Sequence, residues 1–350
     1  MAGSSFGEIF RITTFGESHG DGVGVVIDGC PPRIGLSLED FVHDMSRRRP
    51  GGRAFDTPRR EEDRVQILSG VFEGLTTGTP ITLFVQNRDA DSRPYEILRR
   101  VFRPGHADYS YYRKYGHFDF RGGGRASARE TAARVAAGVV AGKILAPLEV
   151  KIVAYTIELG GIKAGSINLG LIDNSPVYCP DAVASQQMEQ AISDARKEND
   201  SLGGIVELRV IGCPAGLGEP VFDKLEADLA KGVMSVGAVK GVEIGAGFQA
   251  ARLKGSQNND PITPDGFKSN RAGGILGGIS NGDEIVLRAA VKPIPSIGIE
   301  QDTIDREGRP TKLKLTGRHD VVAVPRVVPV LEAMVKIVLA DHYLRFKAMG

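Results

Sequence analysis

The chain reads as a mixed α+β protein. Short β-type runs and helical runs are interspersed along all 350 residues. Tight, hairpin-like spacings recur where a strict strand–helix–strand series would need a crossover helix. No internal repeat and no linker-like shift in composition breaks the chain, and 41% apolar residues suffice for one large core or two smaller ones.

In order, Ile9–Thr14 and Val23–Asp28 read as strands around a polar loop, Phe15-Gly-Glu-Ser-His-Gly20. Ser37 caps a helix over Leu38–Arg49, with Asp40 at the capping-box position and three arginines at its C-terminus. Val65–Val71 and Pro80–Gln86 read as strands and Tyr95–Val101 as a short helix. Val150–Leu159, Gly204–Cys213, Val239–Phe248 and Glu284–Lys292 read as strands, and Ala182–Asn199 and Pro220–Gly232 as amphipathic helices. Pro325–Phe346 closes the chain as a helix that Pro329 should kink or delay.

The stretch Phe102–Gly138 is unlike ordinary globular sequence. An Arg-Pro-Gly-His turn, Arg103 to His106, leads into a tyrosine-rich segment and three glycines, Gly122 to Gly124. A helix over Ala128–Leu145 follows, with Ser127 as N-cap and Glu130 at the capping-box position. A glycine-rich loop entering a helix N-terminus presents free N–H groups and a positive dipole end, and Arg125 and Arg129 add charge there. The pattern suits a phosphate or a carboxylate; the plainer reading is a flexible loop before a capped helix. Neither GxxxxGK[ST] nor the strict GxGxxG fingerprint occurs. Thr316-Gly-Arg-His-Asp320 is either an acid/base cluster or a helix-entry turn.

Net charge is +1 and the pI is near 7.7, so nothing pulls the whole chain toward nucleic acid or membrane. Inside that balance, Arg47 to Arg134 holds 17 Arg and 1 Lys against 11 acidic residues. Arg grips carboxylates and phosphates at two points and stays charged when desolvated, so this region should surround a ligand with several anionic groups. The alternative is a basic surface for RNA, but aromatics are not interleaved with the arginines of Arg47–Arg64. Cys30, Cys179 and Cys213 are widely spaced with no CxxC, so neither a zinc site nor a disulfide framework is expected. The N-terminus has no apolar signal core, and no uninterrupted apolar run approaches a membrane span. A cytoplasmic protein without a metal, membrane or nucleic-acid partner is the expectation.

Seven motifs in order resemble the chorismate synthase family: GESHG (Gly16–Gly20), RRRPGG (Arg47–Gly52), FRPGHADY (Phe102–Tyr109), RGGGRASARET (Arg121–Thr131), NDSLGG (Asn199–Gly204), SNRAGGILGGISNG (Ser269–Gly282) and GRHD (Gly317–Asp320). The resemblance implies a single catalytic domain over 1–350, a β-α-β sandwich of antiparallel sheets around a helical layer, and a homotetramer. It implies a lyase of the shikimate pathway that converts 5-enolpyruvylshikimate 3-phosphate to chorismate and phosphate by anti-1,4-elimination, with reduced FMN and no net redox change. By the same resemblance, His19 protonates the departing phosphate, His106 protonates reduced flavin, and Asp320 receives the ring proton. Ser18, Arg48, Arg103, Ser127, Arg129 and Arg318 would bind substrate. Arg125, Ala126, Ser127, Gly237, Ala238, Gly277, Lys292, Pro293, Ile294, Pro295, Ser296 and Arg318 would contact flavin. Arg48 and Arg53 are tied to nicotinamide, with NADPH as a reductant of the flavin. Ala126 replaces a usual Ser, Gly237 a frequent Asn, and Ile294-Pro295 a common Thr-Ser; Arg53 stands one residue before the expected position. His43, His117 and His342 match no catalytic position. A nicotinamide-dependent FMN reductase is the other enzymatic reading, and the missing dinucleotide fingerprint counts against it.

Overall fold

Period-two alternation builds two antiparallel sheets. A computed structural model describes residues 3–51, 55, 61–89, 91–315 and 320–349; Arg53, Arg318 and His319 lie outside the described residues. The first sheet has the spatial order Ser5–Phe6, Arg11–Gly16, Gly22–Asp28, Ile81–Gln86, Val65–Ser69. On Ile81–Gln86 the alternate residues Ile81, Leu83 and Val85 turn inward and are buried. The second sheet runs Val239–Ile244, Ile285–Val291, Gly204–Ile211, Lys151–Leu159, Ile162–Lys163. Ile285, Leu287, Ala289 and Val291 form its inward row.

Two helices fill the space between the sheets. Thr131–Leu145 packs on the first sheet, Val324–Ala348 packs on the second, and the two helices pack on each other. Small residues allow a close approach: a Cβ added at Gly138 would lie 2.5 Å from the Cβ of Ala333. One apolar core runs through both sheets and both helices. The architecture is therefore the α+β sandwich that the resemblance implied.

Several expectations need correction. Residues 128–148 are, by length and composition, apolar enough to cross a membrane. The reason is a central helix enclosed on nearly all sides, and 67% of that window is buried inside the protein. Ser127 does cap the entry, accepting from the Arg129 N–H at 3.4 Å, but Glu130 instead pairs with Arg134 and no capping box forms. The first turn, Ala128–Glu130, is 3-10 helical, and the α-helix starts at Thr131.

Pro329 does not delay the closing helix, which runs continuously from Val324. Pro325 occupies its first turn, where the missing N–H had no intrahelical partner, so only Pro329 costs a bond, and burial on both sides carries the helix through. The helix expected over Pro220–Gly232 spans Leu225–Met234, because Glu219 and Asp223 pair across a turn before it. Asp108–Tyr115 is a helix that the tyrosine-rich segment did not announce; it ends on Gly116 at φ 69°.

Candidate active site

The triple-glycine loop organises the site. Gly122, Gly123 and Gly124 all have positive φ, and Gly124, at φ 53° and ψ −127°, takes a conformation that is essentially restricted to glycine. Its carbonyl accepts from the Ser18 N–H at 3.4 Å, joining the loop to residues 17–21 between the second and third strands of the first sheet. A Cβ on Gly122 would overlap the edge of the His19 ring at Cδ2 and Nε2, and one on Gly123 would lie 3.4 Å from Nε2 of His106. The loop thus passes between two imidazoles, both presenting Nε2 to a backbone without side chains.

Each imidazole is held from behind. Nδ1 of His19 lies 2.8 Å from the Ser92 hydroxyl, and its ring stands edge-on to Tyr95 at 5.3 Å. Nδ1 of His106 lies 2.8 Å from Oδ1 of Asp108 and 3.0 Å from Nη2 of Arg103. Arg103 grips the same carboxylate at both oxygens, at 2.7 Å each. Burial would raise the Asp108 carboxyl, but the hydrogen bonds from Arg103 and His106 overcome that and hold it well below the usual range. Burial pushes His106 down, as do the charges of Arg103 and Lys292, against the opposing pull of Asp108.

A second buried cluster lies beside the loop. Arg48 (1% exposed) and Arg129 (4% exposed) share one carboxylate, Asp63 (3% exposed). Arg48 donates to Asp63 at 2.8 Å, to Thr131 Oγ1 at 3.2 Å and to the Ala128 carbonyl at 2.9 Å. Arg129 donates to Asp63, to Asn87 Oδ1 at 2.8 Å and to the Gln86 carbonyl at 3.2 Å, with Glu61 at 3.8 Å. Complete burial pushes Arg48 down to about 10, still a full positive charge at neutral pH. Burial opposes ionisation of Asp63 too, but the two arginines keep it well below the ordinary carboxylate range.

The arginine cluster and Gly122, which carries the His19 ring against it, border a cleft. Its walls include Ser18, Arg48, Gly122, Ser127 and Arg129, together with Ile294, Ser296, Asp320 and Arg326. The segment bearing Lys292, Pro293, Ile294, Pro295 and Ser296 lies against the Arg103–His106 turn: Lys292 donates to the Gly105 carbonyl at 2.5 Å, and a Cβ at Gly105 would sit 3.1 Å from Cβ of Pro295. Ala238 accepts from the Lys292 N–H, and Arg134 of the central helix donates to Ser235, which places the Gly237-Ala238 turn beside that segment. Asp320 is paired with Arg326 at 2.6 Å.

The structure thus brings together Ser18, His19, Arg48, Arg103, His106, Ser127, Arg129, Lys292, Ile294, Ser296 and Asp320. Three residues depart. Arg125 spends its guanidinium on Gly16 and Thr14 at the end of a strand, and with Ala126 it lines a small hollow behind the loop. Gly277 lies in a hairpin turn whose Ser280 is bonded to Leu217, next to Gly216, which packs near Phe346 in the last turn of the closing helix. Arg326 of the cleft is in the first turn, 20 residues earlier, or about 30 Å along the helix axis. Gly277 is therefore not brought to the cleft of its own chain.

Sequence reasoning missed Asp63, Glu61, Asp108, Ser92 and Arg326. The acidic triplet Glu61-Glu62-Asp63 inside an arginine-rich stretch was a usable signal, as was Arg326, a lone charge in an apolar run. Nothing local marks Ser92. His117 is exposed, and the three cysteines are buried and free. Among the described residues, no group of three or more His, Cys, Asp or Glu side chains is placed to hold a metal ion.

Comparison with known proteins bears on the family. The sequence profile of the family described as chorismate synthase matches residues 10–344. The chain is 61% identical over 344 residues to a chorismate synthase of Syntrophobacter fumaroxidans, covering 98% of each chain. It is 57% identical over 353 residues to that of Syntrophus aciditrophicus, covering 100% of this chain and 99% of the other. A crystal structure of chorismate synthase superposes with a TM-score of 0.76 at 33% identity, covering 97% of this chain and 93% of that one. With the family profile over residues 10–344, relatives 61% and 57% identical and a shared fold, the chain belongs to the chorismate synthase family of lyases.

Proposed function

We propose that this protein converts 5-enolpyruvylshikimate 3-phosphate to chorismate and phosphate, with reduced FMN bound in the same cleft. The observation that carries the reading is the pair of imidazoles on either side of the glycine loop, beside the buried arginine pair. The substrate bears a phosphate and two carboxylates. Desolvating such a ligand is costly unless fixed cations meet it, and Arg48 and Arg129 are already buried and oriented.

The residues also fit a flavin. Gly122 gives the cleft a wall without a side chain, which suits the flat face of a ring system, and Ser296 offers a polar contact, with Lys292 on the same segment bonded to the Gly105 carbonyl. Reduced FMN, when bound, supplies electron density to a reaction in which a C–O bond to phosphate and a C–H bond across the ring break without net redox change. The chain's own part is proton handling and charge neutralisation. His19 gives a proton to the leaving phosphate from the Nε2 edge, with Ser92 holding its Nδ1. His106 gives one from its own Nε2 edge toward the flavin. Asp320, positioned by Arg326, takes the ring proton. Ser18 and Ser127 stand beside Arg129 to bind substrate oxygens. Arg48 is enclosed by Asp63, Thr131 and Ala128, which favours a role in the cleft wall over contact with a nicotinamide at the surface.

The test is an anaerobic assay with 5-enolpyruvylshikimate 3-phosphate and chemically reduced FMN, following chorismate absorbance and phosphate release. Stoichiometric formation of both is expected, and none without reduced flavin. Phosphate release that ignores flavin would reject the reading. Repeating the assay with oxidised FMN and NADPH decides whether the protein reduces its own flavin. A homotetramer in the cytoplasm accompanies this reading; sedimentation should give about four times the 37.4 kDa chain.

A further inference from the structure

We infer that Asp108 is a positioning residue for the reaction: it holds Nδ1–H of His106, so that Nε2 is the nitrogen that exchanges a proton in the cleft. The inference rests on the role of His106 given above and assigns a part to a residue outside that mechanism.

A neutral imidazole carries one proton, and its second nitrogen shows whatever the first leaves free. Two groups face Nδ1 of His106. Oδ1 of Asp108 stands 2.8 Å away, and Nη2 of Arg103 stands 3.0 Å away. They favour opposite tautomers. The guanidinium would donate to a bare Nδ1, while the carboxylate needs a proton there to avoid a clash of lone pairs. The carboxylate is nearer, and Arg103 already directs both Nε and Nη2 to Asp108, at 2.7 Å each. Asp108 is 2% exposed and can act only as an acceptor while ionised. The Nδ1–H tautomer follows, with the Nε2 lone pair beside Gly123.

Among the described residues, the charged groups that act on the ring are Arg103, Asp108 and Lys292. Without ligand, burial and the two cations keep the ring neutral. An anionic ligand at Nε2 reverses the balance, and the proton is then taken up on the side from which it must later leave. Asp108 remains ionised throughout and stabilises the imidazolium.

Histidine-labelled protein, observed by long-range proton–nitrogen NMR above the titration of His106, tests this without any variant. The expected signal is Nδ1–H; an Nε2–H tautomer in the unmodified protein overturns the inference. Asp108→Asn keeps the shape but offers Nδ1 an amide donor. It should shift the ring toward Nε2–H, lower its titration midpoint and cut turnover by about 10²-fold, the low end of a general acid's contribution, with KM nearly unchanged. An Asn variant with the original tautomer and full turnover also overturns it. A changed tautomer with full turnover instead rejects the catalytic role of His106, leaving Asp108 nothing to position.

Discussion

A carboxylate shared by two buried guanidiniums is a single point of failure. Asp63→Asn keeps the shape and leaves Arg48 and Arg129 without their counter-ion, so unfolding by urea should show a loss of about 3–5 kcal/mol; an unchanged midpoint would refute the pairing. The acid limb has the same origin. Asp63 and Asp108 have folded pKa values depressed below an unfolded value of about 3.9. Their stabilisation is complete above that unfolded value and is lost as pH falls from there through the folded values, so the Asn variant should flatten the decline. The histidines carry their own control. His19→Ala and His106→Ala should each lower turnover by roughly 10²–10⁴, while exposed His117 should be replaceable without effect; equal damage at all three would dissolve the assignment. His19, Arg48, Arg103, His106 and Arg129 were legible because a polar residue flanked by glycines, or an arginine excess, can be seen in one dimension. Asp63 and Arg326 showed only as charges out of place, because which charge neutralises which is decided when separate segments meet, and the contact of Asp108 with His106 depends on the fold of the turn between them.

At the scale of elements, two glycines one turn apart on the central helix should behave oppositely. In isolation Gly→Ala favours a helix by about 1 kcal/mol. At Gly142 the nearest atom to a new Cβ is Cδ of Lys336, 3.7 Å away on a flexible side chain. Gly142→Ala should therefore be neutral or stabilising. At Gly138 the new atom would meet Cβ of Ala333 at 2.5 Å and its Cα at 2.7 Å. Backbone must move, overpacking costs about 1–3 kcal/mol, and Gly138→Ala should lower the Tm; a rise would mean the two helices separate easily. Regular periodicity made the strands and the central helix readable to within a few residues. The start of Leu225–Met234 was not, since it depends on Glu219 and Asp223 pairing across a turn. Nor was the run of the closing helix through Pro329, which reflects burial on both sides and not local preference.

At the scale of the molecule, the cleft holds cations from one sheet's connections and rim residues from the other sheet's, so each ligand completes a wall for the other. FMN should bind more tightly with substrate present, and substrate more tightly with FMN by the same factor. Fluorescence titrations in both orders check this, and equal affinities would mean two separate sites. The cleft also draws on residues far apart in the chain, from Ser18 to Asp320 and Arg326. During synthesis the glycine loop, His19, His106 and the Arg48–Asp63–Arg129 cluster leave the ribosome well before Asp320 and Arg326. A chain that stops before Asp320 thus carries the arginine cluster without the Asp320 and Arg326 part of the cleft lining. No supply of flavin can rescue such a fragment, because the binding energy that would stabilise it becomes available only once Asp320 and Arg326 have been added.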